Sequence, residues 1–217
     1  MPRPRSLPLL LALACGLLLP GCNLFQPRTP ELPSLAGVPI DYSEPEATLA
    51  TMALGIEAKA ASNGRTAYLG ALANSSAGDG PIFNALFDPA AVVIWQNVSG
   101  RNPPAQWGPD LEGQLYNYLP GLSSNGYSFF WDKDVEHPND EDLTPNVKLL
   151  HRKYVLAANT EGGGAPDTLA IGYADLTLTL VADKWMVWRW QDRVDPNVGP
   201  IPSKGKQSFS ALRLGSY

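Results

Sequence analysis

The chain has 217 residues and is acidic, with a formal net charge of −5 and 17% charged residues. A surface of that sign with no basic stripe sets nucleic acid aside as a partner, and anionic headgroups with it. Both cysteines, Cys15 and Cys22, lie near the amino-terminal end, so disulfides and thiolate metal sites are excluded from everything beyond them.

The opening segment, MPRPRSLPLLLALACGLLLPGCNLF, sets two arginines before an apolar run from Leu7 to Leu19. That run is shorter than the roughly 20 residues a membrane helix needs, and it reads as an export signal over residues 1–21. Gly21 directly before Cys22, with Leu19 three positions before it, resembles the lipobox of bacterial lipoproteins, although Pro20 departs from the usual residue there. The resemblance implies cleavage before Cys22, acylation of its sulfur and of the new amino terminus, and anchoring by several acyl chains. Cutting at Cys15 would leave a very short apolar segment, so Cys22 is the expected lipid attachment residue. An ordinary secreted protein and an uncleaved anchor remain the alternatives. Asn23 after the cysteine resembles the pattern sent to the outer membrane in some Gram-negative bacteria, so the expected location is the cell envelope, with a membrane contact made by the anchor.

Residues 22–45 carry five prolines and no periodic pattern, which predicts a semi-rigid tether. Residues 46–217 then suffice for one domain with a sizeable core. In EATLATMALGIEAKAAS, Leu49, Met52, Ala53, Ile56 and Ala60 fall at helical intervals, and Asn63-Gly64 stops the helix. A second, short helix is expected in RTAYLGALAN. FDPAAVVIWQNV reads as a strand because its apolar run, Val92 to Trp95, is short. GPDLEGQLYNYL is a third helix, opened by Pro109 and Asp110. Four strands follow: YSFFWDK, VKLLHRKYVLAA, LAIGYADLTLTLVA and KWMVWRWQDR. In the third of these the bulky residues move from odd positions (Leu169, Ile171, Tyr173) to even ones (Leu176, Leu178, Leu180). That switch predicts a β-bulge near Ala174-Asp175 and a bent, hollow sheet. Helices first and strands after give an α+β class.

This order resembles the NTF2-like (SnoaL-like) fold, a cone of curved, mostly antiparallel sheet packed against N-terminal helices. The residues that carry the resemblance are ATLATMALGIEAKAASNGRTAYLGAL and the closing aromatic strand WMVWRWQDR. Members include isomerases, dehydratases, hydrolases and cyclases beside many non-catalytic binding and assembly domains, so the resemblance implies a fold more than a chemistry. Catalytic members place Asp, His or Tyr inside the cone.

In KWMVWRWQDR strict alternation puts Trp185, Val187 and Arg189 on one face, and Met186, Trp188, Trp190 and Asp192 on the other. Trp188 and Trp190 are expected in the core, with Arg189 and Asp192 at an edge or pocket mouth. Trp95, Tyr173, Trp188, Trp190 and Asp192 form the candidate pocket. Asp192 and Asp175 are the carboxylates a general base would come from, each with a structural explanation that outweighs it. His151, mid-strand, reads as a hydrogen-bonded bystander, and His137 lies in an acidic loop. That loop, DKDVEHPNDEDLTPN, lacks the glycine and closing glutamate of a calcium loop and reads as a solvated charge run. TEGGGAPDT is no phosphate loop, and GxSxG, HExxH and a nucleophilic cysteine are absent from the sequence. No metal or cofactor is expected. The leading expectation is a tethered, non-catalytic domain that binds a partner protein or a small apolar ligand. The rival is a SnoaL-like isomerase, dehydratase or cyclase, and a homodimer through the sheet face is a further possibility.

Overall fold

A computed structural model describes residues 37–58, 63–74, 80–197 and 207–217. The expected export signal, Cys22 and the expected tether up to residue 36 lie outside these residues. The elements in chain order are α1 (Pro45–Glu57), α2 (Gly64–Gly70), β1 (Asn84–Leu86), α3 (Pro89–Ser99), α4 (Pro109–Tyr118), β2 (Tyr127–Lys133), β3 (Glu141–Thr144), β4 (Val147–Ala158), β5 (Asp167–Val181), β6 (Lys184–Val194) and α5 (Phe209–Gly215). One sheet runs in the order β1-β6-β5-β4-β2, with β3 pairing beside β2 on β4. Its ladders are antiparallel apart from the short parallel pairing of β1 with β6.

Helix α1 forms on the stripe its sequence predicts: Leu49, Met52, Ala53 and Ile56 are buried, and Ala60 lies outside the described residues. Helix α2 crosses it at backbone distance because Gly55 carries no side chain; a Cβ there would stand 2.8 Å from both Gly64 O and Tyr68 N. Helix α1 packs on β2 and β6 with α2 against it and α4 against α2, and Leu150, Tyr154, Leu156, Leu176, Leu178, Val187 and Trp190 share one core with their buried residues.

The sheet bends by bulges, at other positions than the parity switch predicts. Register shifts between β4 and β5 at Leu156/Ala157, leaving Leu169 unpaired, and between β5 and β6 at Thr177/Leu178, leaving Trp188 unpaired. Ala174 and Asp175 lie in regular ladder. Even-numbered residues of β5 face the core along the strand: Ala170, Ala174, Leu176 and Leu178 are all fully buried. The switch is therefore one of size, since the small residues make room for a neighbour. At Gly172 a Cβ would overlap the Tyr154 hydroxyl. The extra residue in β6 has the larger consequence, because it moves Trp190 and Asp192 to the face of Trp185 and Val187. Trp188 is left outward and 42% exposed, and Arg189 is exposed with it. Strict alternation assigns those faces wrongly because one bulge inverts every side chain beyond it.

Three further expectations are corrected. FDPAAVVIWQNV is the helix α3, since Asp88 accepts hydrogen bonds from Ala90 N (2.8 Å) and Ala91 N (3.3 Å), Pro89 occupies the first turn, and Gly100 ends the helix at φ 67°. A capped start and stop outweigh the weak strand preference of four apolar residues. Residues 37–44, expected within the tether, pack on the domain. Val38 N donates to Asn63 Oδ1 (2.8 Å), the Tyr42 hydroxyl to Ala67 O (2.9 Å), and Trp185 N to Tyr42 O (2.8 Å). The acidic loop is in part not solvated, since Asp134 is fully buried and half-buried Asp140 is bound by Arg152.

Candidate functional site

The interior of the cone is where a pocket is expected, and the chain's last helix fills it. Ser208 caps α5 by accepting from Ala211 N (3.3 Å), and Phe209 enters the core. Its ring centroid stands 4.7 Å from that of Trp190, 5.2 Å from Tyr154 and 5.6 Å from Phe129. Asp192 holds the start of the helix: Oδ2 accepts from Ser210 N (2.6 Å) and Oδ1 from the Tyr154 hydroxyl (2.6 Å), while Phe209 N donates to that same Tyr154 oxygen (2.9 Å). Burial raises the Asp192 pKa against the pull of these hydrogen bonds and of Arg213. Burial, followed by the Asp192 charge, raises that of Tyr154.

One turn further on, Arg213 is fully buried and paired in two-pronged fashion with Glu112, Nε to Oε2 at 2.9 Å and Nη2 to Oε1 at 2.9 Å. Glu112 also accepts from the Tyr68 hydroxyl (2.5 Å) and from Trp107 Nε1 (2.5 Å). The guanidinium lies 4.2 Å from the Trp190 ring centroid. Burial opposes the charge on Arg213, yet Glu112 overcomes it and the pKa is raised. This arrangement fastens a helix. Its acids and hydroxyls are consumed by one another.

A second cluster lies on the opposite face of the sheet. His151 Nδ1 is 2.7 Å from Asp175 Oδ1, and its Nε2 is 3.6 Å from Glu141 Oε1. Arg193 Nη2 bridges Asp175 (3.0 Å) and Asp134 (2.8 Å), and His137 Nδ1 reaches Asp134 at 3.1 Å. Burial works against the Asp134 charge, but the hydrogen bonds from Arg193, the Glu136 amide and His137 hold its pKa down at about 2. These hydrogen bonds and ion pairs pin the 134–140 segment onto the sheet. Among the described residues no group of His, Cys, Asp or Glu is placed to hold a metal ion.

The third feature is an open groove of about 520 Å³ between α1 and β2. Leu49, Ala50, Ala53 and Leu54 form one wall and Phe129, Phe130 and Trp131 the other; Glu46, Glu57, Asp132 and Arg152 stand around them.

No protein-family model matches the chain, and no curated protein matches it. Solved structures do. A protein of unknown function from Mycobacterium tuberculosis aligns at TM-score 0.50 and 12% identity over 79% of this chain and 82% of its own. An NTF2-like protein with a cystatin-like fold from Novosphingobium aromaticivorans aligns at 0.46 and 9%, over 67% and 75%. A candidate dehydratase from the NTF2-like family, from Streptomyces avermitilis, aligns at 0.45 and 11%, over 68% and 90%. The chain has an α+β fold similar to that of proteins described as NTF2-like. At these identities the likeness carries the fold and no activity.

Within the domain the five residues expected to share a pocket are dispersed. Trp190 and Asp192 are in the core and Trp188 is exposed. Tyr173 is on the charged face beneath Lys153 and Arg193, 5.4 and 5.5 Å from its ring. Trp95 is half-buried on α3, 6.3 Å from the Tyr217 ring. Asp192, expected at a pocket mouth, is 2% exposed and bound on both oxygens. His151 is hydrogen-bonded to Asp175, and neither faces the cone interior. Sequence reasoning missed Glu112, Arg213 and Phe209. Their signal was a lone arginine among the apolar residues of FSALRLG, preceded by Ser208 as a cap; a charge on an apolar helical stripe calls for a buried partner.

Proposed function

We propose that the chain is a non-catalytic binding module, exported and held at the cell envelope by acyl chains on Cys22, whose NTF2-like domain receives a partner protein or a small apolar ligand. One observation carries the reading: the cone interior is filled by α5, whereas the apolar groove between α1 and β2 stands open. A binding surface of this kind needs apolar walls with a few polar groups at the rim. The isomerase, dehydratase or cyclase reading needs a base that faces a substrate. Asp192 has the raised pKa, but both its oxygens are taken by Tyr154 and Ser210 N.

Site-specific photo-crosslinking in the native envelope tests this reading. A cross-linking residue at Leu54 or Phe130 should give a discrete adduct that the same residue at Trp188 does not, and mass spectrometry should find lipid on Cys22. Turnover of a small organic substrate that disappears in Asp192→Asn would overturn the non-catalytic reading.

A further inference from the structure

The two ends of the sheet are finished differently. At the β6 end the chain covers its own edge: Trp185 N donates to Tyr42 O, Val187 N to Ala71 O, and Ala73 N to Val187 O, each at 2.8 Å, before β1 takes over at Arg189. At the other end, among the described residues, β2 is a free edge. Asn159 N donates to Gly126 O (3.0 Å), and β2 is in register with β4 from Tyr127 onward, so even-numbered residues of this stretch turn their backbone groups toward β4. The odd-numbered residues turn theirs outward. At Phe129 the outward amide is met by a side chain, Glu57 Oε1 at 2.8 Å, standing where the carbonyl of an added strand would stand.

We propose that this edge receives an extended segment of a partner protein, which adds to β2 as a further strand and lies in the groove against α1. The proposal rests on the binding-module reading and names the partner's chemistry. Main-chain pairing to Trp131 and Lys133 supplies affinity that is indifferent to sequence, and alternate side chains fall against Leu49 and Ala53 on one side and Phe130 on the other. Phe130 is 55% exposed and Leu54 38%, so apolar wall is available on both faces of the added strand. The flanks should be basic. Glu46, Glu57 and Asp132 surround the groove, and the guanidinium among them, Arg152, is already bound by both oxygens of Asp140 (2.6 and 2.8 Å) and by Glu46 (3.2 Å). The same acids disfavour a second copy of this chain, because two such edges would bring like charges together.

The full chain in detergent, titrated with the peptide Lys-Thr-Val-Thr-Val-Thr-Val-Lys and followed by amide chemical shifts, tests the proposal. The expected result is a saturable shift at Phe129, Trp131 and Lys133 with a Kd below about 1 mM. N-methylation of alternate peptide amides, or glutamates in place of the lysines, should weaken it at least about tenfold. Asp132→Lys should weaken the preference for basic flanks, and Ala50→Trp, at an exposed helix position, should fill the groove and abolish binding without moving the thermal midpoint. No saturable shift at the β2 edge overturns the proposal, and so does equal binding of the N-methylated peptide. If crosslinks still form at Leu54 in either case, strand addition fails while the binding-module reading stands; if they do not form, both fail.

Discussion

Replacing Arg213 by methionine tests whether α5 truly closes the interior. The substitution keeps an unbranched, apolar stem but removes the cation. Glu112 would then be left buried with two neutral donors, the Tyr68 hydroxyl and Trp107 Nε1, in place of four hydrogen bonds. Removing one partner of a buried ion pair costs about 3–5 kcal/mol. The stacking of Arg213 on Trp190 at 4.2 Å is lost as well and carries the figure toward the upper end. Against a total of about 5–15 kcal/mol for a domain, that is a severe loss. With a urea slope of about 2 kcal/mol per molar, the midpoint should fall by about 2 M. Glu112→Gln combined with Arg213→Met should be less damaging than Arg213→Met alone, because no orphaned charge remains. A midpoint displaced by less than about 0.5 M would refute the reasoning and detach α5 from the core.

Asp192→Ala should be destabilising by about 2–6 kcal/mol in the same denaturation assay, since it orphans two buried donors, the Tyr154 hydroxyl and Ser210 N, at about 1–3 kcal/mol each. Arg189→Ala, at an exposed position one bulge away, should stay within about 0.5 kcal/mol of the parent, and the reverse order of the two would show the β6 faces to be assigned wrongly. Asp134 should confer an acid-sensitive contribution. Its folded pKa of about 2 lies below the ordinary 3.8, so its stabilisation is fully present above about pH 4 and is lost as pH falls through about 2. The shift corresponds to about 2 kcal/mol, and Asp134→Asn should flatten that limb of a stability-against-pH curve; an unchanged limb would remove Asp134 as its source.

The fold was legible where local pattern and tertiary fate agree. VKLLHRKYVLAA is β4 from first residue to last, and the α1 stripe is buried as its spacing predicts. It was not legible where a single residue changes the reading frame of a strand. Nothing in KWMVWRWQDR distinguishes Trp188 as the unpaired residue, because what selects it is the ladder with β5. Helix α3 was readable in principle from Asp88-Pro89 and Gly100, had end signals been weighted above the Val-Val-Ile run. The polar groups of the interior were the least legible. Asp192 looks like a hydrated strand end until a helix from beyond residue 207 arrives to occupy both its oxygens, and Glu112 looks like an ordinary first-turn acid on α4. Partners 18 and 101 residues away leave no mark on local periodicity.

The position of α5 in the chain also sets a timetable. Phe209 and Arg213 complete a core whose other walls span α1 to β6, so the domain stays unfinished until residue 213 has been synthesised. Before then Trp190 and Tyr154 lack the Phe209 ring that packs on them, and Glu112 lacks Arg213. Any product broken off ahead of residue 209 would carry its defect at the centre of the fold, conspicuous to quality-control proteases and never masked by a nearly native shell.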